Sequence, residues 1–252
     1  MSRRDKKFVV GNWKMNHNLE QINNFVEEVT EQNCHQWIAP QSIHLSYLNQ
    51  LRANKRFLKV GPQNHSDHDS GAFTGENSLT ALKELEIDFT IVGHSERRQI
   101  FQESHEVLAK KLQKSLNLEI TAIFCIGETL EQREANQTNA ILKEQLLAGL
   151  SLVENNQLNK LMIAYEPVWA IGTGKTATAE TAQQAHLFVR ETLIEKFGEA
   201  ANDVPILYGG SVKPDNIAEL LQQNDIDGGL VGGASLKADS YNELCTAAAT
   251  II

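Results

Sequence analysis

Short apolar runs, each followed by a glycine or proline and then by polar residues, recur along the chain. They occupy residues 8–10 before Gly11, 37–39 before Pro40, 57–60 before Gly61 and 89–92 before Gly93. The series continues with 120–126 before Gly127, 161–166 before Pro167, 206–208 before Gly209 and 230–231 before Gly232. Most lack the in-out alternation of a strand with one wet face, so they predict strands buried on both sides. Between them, apolar residues return every three or four positions, as in Leu19, Ile22, Val26 and Val29, or Leu142, Leu146, Leu147 and Leu150. That period predicts amphipathic helices. Pro214 suits the first position of the penultimate helix, where its missing N–H costs nothing.

Strands alternating with helices imply parallel strands joined by right-handed crossovers. Eight such units in 252 residues match the repeat count and size of an α/β (β/α)8 barrel. A doubly wound open sheet is the rival, but its first turn needs Gly-x-Gly-x-x-Gly, and here that turn reads Gly11-Asn12-Trp13-Lys14-Met15-Asn16. No linker rich in Ser, Gly or Pro divides the chain, so residues 1–252 are expected to form a single domain.

A chain of this size buries roughly three quarters of its extended surface, enough for a core without disulfides or a structural metal. The net charge of −9 argues against nucleic-acid or membrane partners, both of which favour a basic face. The basic start Ser2-Arg3-Arg4-Asp5-Lys6-Lys7 leads into an apolar stretch too short for a signal peptide, and no run approaches membrane-spanning length. Cys34, Cys125 and Cys245 are odd in number and widely spaced, which reads as reduced thiols and a cytoplasmic location.

In such a barrel the reactive groups stand just past the C-terminal ends of the strands. Those positions hold Asn12 and Lys14 after the first run, His94 and Glu96 after the fourth, and Glu166 at the end of the sixth. The seventh and eighth runs end in Gly209-Gly210-Ser211 and Gly232-Gly233. Each has an ordinary structural reading. A lysine after a strand is commonly solvated, a histidine commonly satisfied by hydrogen bonds, and a glycine commonly the residue of a positive-φ turn. Glu166 fits such a reading least, because a carboxylate ending an apolar strand must find a partner or shift its pKa, and shifted groups gather at active sites. Two glycine pairs after the last two strands also fit a corner that commonly binds phosphate through backbone N–H groups.

Other motifs fail. Gly172-Thr173-Gly174-Lys175-Thr176 resembles the end of a phosphate-binding loop, but Trp169 holds the required first glycine position. His94-Ser95-Glu96 lacks the Pro-Cys-x-x-Cys that would complete a deaminase zinc site. His65, Asp67, His68 and Asp69 fall in a polar loop and read as solvated rather than as metal ligands. Lys59, the one lysine within a predicted strand, has no acid or base motif beside it to support Schiff-base chemistry. Neither metal nor cofactor is expected.

Six segments carry a specific resemblance. They are Gly11-Asn12-Trp13-Lys14-Met15-Asn16, Gly93-His94-Ser95-Glu96-Arg97-Arg98, Cys125-Ile126-Gly127-Glu128-Thr129, the stretch 164–175, Tyr208-Gly209-Gly210-Ser211-Val212 and the stretch 230–236. In order and over nearly the whole chain, they resemble the triosephosphate isomerase family. The resemblance implies a TIM barrel that interconverts dihydroxyacetone phosphate and glyceraldehyde 3-phosphate without metal or cofactor. It implies Glu166 as the base, His94 as the group that polarises the carbonyl, and Lys14 and Asn12 beside the substrate, with Glu96 in the same catalytic set. Gly172, Ser211, Gly232 and Gly233 are then expected to hold the phosphate by backbone N–H groups. The resemblance also implies a glutamate base paired with a neutral histidine whose pKa a helix N-terminus lowers; here Ser95 is expected to be the N-cap. It further implies a closing loop, here 167–176, with Pro167-Val168 expected to be stiff at one end, Lys175-Thr176 to hinge at the other and Ile171 to lie near the tip. Homodimers are expected, joined through the loop 63–78 with Gly71-Ala72-Phe73-Thr74-Gly75-Glu76 at its tip. Pro62 and the segment His65-Ser66-Asp67-His68-Asp69 depart from the family's pattern. Two rivals remain. A phosphosugar lyase on the same barrel would need a Schiff-base lysine or metal cluster, and a non-catalytic phosphosugar-binding protein would not need Lys14, His94 and Glu166 together.

Overall fold

The computed structural model describes residue 3, residues 6–171 and residues 177–251. Strands and helices alternate: β1 (Phe8–Asn12), α1 (Leu19–Glu28), β2 (His35–Ala39), α2 (Leu45–Leu51), β3 (Leu58–Val60), α3 (Leu79–Lys83), β4 (Phe89–Val92), α4 (Ser95–Gln99) and α5 (His105–Asn117). They continue as β5 (Thr121–Ile126), α6 (Leu130–Glu134), α7 (Thr138–Gly149), β6 (Leu161–Tyr165), α8 (Ala179–Phe197), β7 (Ile206–Tyr208), α9 (Ile217–Leu221), β8 (Gly228–Val231) and α10 (Ala238–Ala249). Each of the eight apolar runs overlaps a strand.

The strands form one eight-stranded parallel sheet in the order β3-β2-β1-β8-β7-β6-β5-β4. Its first and last strands meet through the Asp88 N–H donating to the Val60 carbonyl at 2.8 Å and the Ile91 N–H donating to the Pro62 carbonyl at 3.1 Å. Gly61 permits that approach, because a Cβ there would fall on the Phe89 carbonyl. The sheet is thereby curled into a nearly closed (β/α)8 barrel.

Alternate residues of each strand enter two apolar bodies. Phe8, Val10, Trp37, Phe89, Ile91, Ile123 and Met162 fill the barrel's interior, while Val9, Ile38, Val60, Val92 and Ile163 pack outward against the helices. Strands covered on both faces explain the unbroken apolar runs in the sequence.

Two helix expectations change on contact with the structure. Asn18 and Gln21 cap α1 reciprocally and its Ile22, Phe25 and Val26 are buried, but Leu19, in the first turn, is exposed. Pro214 lies in a turn ahead of α9 rather than at its first position, and Asn216 is the N-cap.

Candidate active site

The C-terminal ends of β1, β4, β6, β7 and β8 surround a cavity of about 290 Å³ lined by Asn12, Lys14, His94, Glu166, Ile171, Gly209, Gly210, Ser211, Val212, Lys213, Leu230, Gly232, Gly233 and Ala234. Expected residues from five strand ends therefore share one cavity. Glu96 is not on its wall, and Gly172 lies outside the described residues, as does the expected hinge Lys175-Thr176. A larger cavity of about 560 Å³ lies at the opposite ends of the strands, beside Thr121, Leu161 and Pro205. Among the described residues Asp203 is the single ionisable side chain on its wall, so they offer no acid–base pair there.

Glu166 directly follows β6 and is 1% exposed. Its N–H donates to the Ile126 carbonyl at 2.7 Å. One carboxylate oxygen, Oε2, accepts from the Ser95 N–H at 2.8 Å, and the other, Oε1, lies 2.9 Å from His94 Nε2. Gly209 makes room for this side chain, since a Cβ there would stand 2.8 Å from Glu166 Cγ.

His94 itself caps α4. Its Nδ1 accepts the Glu96 N–H at 3.2 Å, so Ser95 is the first helical residue rather than the cap. An acceptor at Nδ1 leaves the ring proton on Nε2, aimed at Glu166. Burial lowers the pKa of His94, but the Glu166 carboxylate and, more weakly, Glu96 raise it, and the net direction is upward. That direction is opposite to the expected lowering, because the Glu166 and Glu96 carboxylates together outweigh burial. Arg98 ties the loop down, donating from Nε to the Gly93 carbonyl and from Nη2 to the Cys125 carbonyl, each at 2.9 Å.

Lys14 adopts a left-handed backbone with φ of 51°. Its N–H donates to Asn12 Oδ1 at 3.1 Å, and its carbonyl accepts from Gln63 Nε2 at 2.7 Å. Its ammonium pairs with Glu96 Oε1 at 2.6 Å, so Glu96 reaches the cavity through Lys14. Across the cavity, none of Gly209, Gly210, Gly232 and Gly233 has a positive φ, which removes the ordinary turn explanation. Among the described residues, a Cβ on Gly233 would meet nothing within 4 Å, and one on Gly232 only Lys14 Cε at 3.7 Å. Main-chain N–H groups without side chains around them suit close approach by an anion.

Three contributors are not evident in the sequence reading. Gln63 follows a strand end as the others do, yet an amide there signals little until its contacts to Lys14 and Ala39 are seen. Glu128 is fully buried. It accepts at Oε1 from the Tyr165 hydroxyl at 3.1 Å, Trp169 Nε1 at 3.0 Å and Arg133 Nη1 at 3.4 Å, and so fastens the first residues of the 167–176 loop. The acid following Gly127 was the available signal. Lys213 is the third, an exposed residue one position beyond Val212.

The polar segment after β3 is partly a correction. His65 is fully buried rather than solvated, with Nδ1 donating to the Ser66 carbonyl and Nε2 beside Ser115 Oγ, both at 2.9 Å. His68 stays half in solvent and stacks on Phe73 with ring centres 4.0 Å apart. Among the described residues, no group of three or more His, Cys, Asp or Glu is arranged to hold a metal ion. No helix among them is long and apolar enough to cross a membrane.

With this geometry in hand, the chain is similar to known proteins over almost its full length. A family model described as triosephosphate isomerase matches residues 7–248. A triosephosphate isomerase of Herminiimonas arsenicoxydans is 46% identical, covering 96% of this chain and 99% of that protein. One of Clostridium novyi is 45% identical over 94% and 96% of the two chains, and one of Marinobacter nauticus 43% identical over 95% and 96%.

Proposed function

The chain belongs to the triosephosphate isomerase family and is an isomerase of triose phosphates; we propose that it interconverts dihydroxyacetone phosphate and D-glyceraldehyde 3-phosphate with Glu166 as the base. The carboxylate takes a proton from the carbon beside the carbonyl and returns it to the neighbouring carbon, through an enediolate. His94 Nε2–H donates to the carbonyl oxygen and then shuttles protons between the two substrate oxygens. Lys14 and Asn12 counter the charge that develops on those oxygens, and Glu96 orients the Lys14 ammonium. Ser211, Gly232 and Gly233 hold the phosphate by main-chain N–H groups, with Gly172 assigned to the same task by family resemblance. The observation that carries this reading is the contact of 2.9 Å between an imidazole and a buried carboxylate on the wall of a cavity with glycine main chain opposite. The chemistry calls for neither metal nor cofactor.

Exposed Met15, Ile43, Phe73, Ile100 and Phe101 support a homodimer joined through the 63–78 loop, since a lone chain would leave this apolar surface wet. A cytoplasmic setting, in glycolysis and gluconeogenesis, fits three free cysteines. A coupled assay of the purified protein on glyceraldehyde 3-phosphate tests the reaction: turnover that vanishes in Glu166→Gln supports it, and an inactive wild type sinks it.

A further inference from the structure

Among the described residues the cavity wall carries two lysines, Lys14 and Lys213, and they are in different circumstances. The Lys14 ammonium is paired with Glu96 at 2.6 Å, which cancels much of its charge at a distance. Glu166 adds a further negative charge to the same wall, and the chain as a whole carries −9. A phosphorylated substrate approaching this mouth meets net repulsion unless something offsets it.

Lys213 is exposed and its ammonium makes no ion pair or hydrogen bond among the described residues. Its main chain, by contrast, is anchored. The Lys213 N–H donates to Asn216 Oδ1 at 2.8 Å, and Asn216 Nδ2 donates to the Ser211 carbonyl at 3.0 Å. The Lys213 carbonyl accepts from the N–H groups of Asn216 at 3.2 Å and Ile217 at 3.1 Å. A fixed backbone thus presents an uncompensated charge two residues from Ser211, at the end of the cavity with the exposed glycine main chain. We propose that Lys213 is an electrostatic guide for the substrate's phosphate, drawing the dianion into the site without taking part in proton transfer. This rests on the isomerase reading above.

A unit charge and a dianion roughly 8 Å apart in water attract enough to change capture about fivefold. The attraction is screened strongly once the Debye length falls to a few ångströms. The test measures kcat/KM for wild type, Lys213→Gln, Lys213→Glu and Lys213→Arg, at about 10 mM and about 0.5 M salt. Each is assayed on glyceraldehyde 3-phosphate and on glyceraldehyde, which lacks the phosphate. At low salt Lys213→Gln is expected to lose about fivefold in kcat/KM on the phosphorylated substrate, carried by KM, with kcat within about twofold. Charge reversal to Glu should lose about 25-fold, and Arg should restore the wild-type value. At high salt the differences should shrink below about twofold, and the phosphate-free substrate should show none. No loss at low salt, a loss that persists in high salt, a loss carried by kcat, or an equal loss on glyceraldehyde overturns the proposal. A wild type inactive on glyceraldehyde 3-phosphate overturns the isomerase reading instead.

Discussion

His94 Nε2 and Glu166 Oε1 are in direct contact at 2.9 Å, and the other carboxylate oxygen is held by the Ser95 N–H at 2.8 Å. In this arrangement the base bonds to protein groups, so productive substrate binding must part the pair and place the reacting carbons beside the carboxylate. The same contact raises the His94 pKa against its burial. Glu166→Gln removes the strongest raising influence and leaves burial, so the imidazole should then titrate below its ordinary range. Ring NMR across pH checks this: an unchanged His94 titration in Glu166→Gln would mean that the carboxylate is not what holds the proton there.

The length of the Glu166 side chain is fixed at both ends. Its main chain is pinned to Ile126 and its Cγ lies against Gly209, while its carboxylate reaches Ser95 and His94. Glu166→Asp should keep the fold, since the main-chain bond stays, but lose about a hundredfold or more in turnover because the carboxylate is withdrawn by about one bond length from its working position. Steady-state kinetics with circular dichroism decide it. A variant of near-wild-type kcat would take Glu166 out of the role of base.

What the sequence conveyed and what it withheld follow from the range of the forces involved. Burial of both faces leaves its mark residue by residue, so the continuous apolar runs at 89–92 and 120–126 were legible as β4 and β5. Strand ends were legible too, and with them Asn12, Lys14, His94 and Glu166. Contacts made across the fold were not. His65 reads as one more polar loop residue, and what buries it against Ser115 is a helix 50 positions away. Ser95 has the better capping side chain in the abstract, yet His94 takes the cap because its ring must already turn toward Glu166. The protonation bias of His94 was likewise hidden, since it depends on which carboxylate the fold brings to Nε2.

Two buried histidines make acid stability predictable. His65 and His186 are both lowered to about 4, chiefly by burial. His186 Nδ1 donates to the Asp225 carbonyl at 3.0 Å, and its Nε2 is buried with no hydrogen-bond partner among the described residues, which offer no acceptor for a second ring proton. Both groups bind a proton more weakly folded than unfolded. The unfolded state therefore takes up protons first, and stability falls as pH drops from about 6.5 toward 4, by about 3 kcal/mol for each group at the limit. Denaturant midpoints measured between pH 7 and pH 4 should show this slope, and His186→Phe should flatten it. If that variant kept the full slope, His186 would not be a source of the acid sensitivity.

The last prediction concerns the loop 63–78. Its tip carries Phe73, which is 42% exposed and stacks on the His68 ring at 4.0 Å. Its base is rigid: His65 and Ser66 are buried, and Lys111 joins Asn64 at 2.9 Å and Glu103 at 2.7 Å. A stiff base with an apolar tip is costly to expose unless the tip docks elsewhere. If it docks against a second copy, in the region of Met15, it would brace Asn12 at the end of β1 and Lys14 just beyond it in that copy. Burying a Phe side chain contributes roughly 1.5–3 kcal/mol, and a carboxylate in its position would add a desolvation cost. Phe73→Asp should therefore give monomers of much reduced activity, whereas Phe73→Leu should remain dimeric and active. Light scattering alongside turnover separates the cases, because a Phe73→Asp dimer with unchanged kcat would show that this tip is not the joint between subunits.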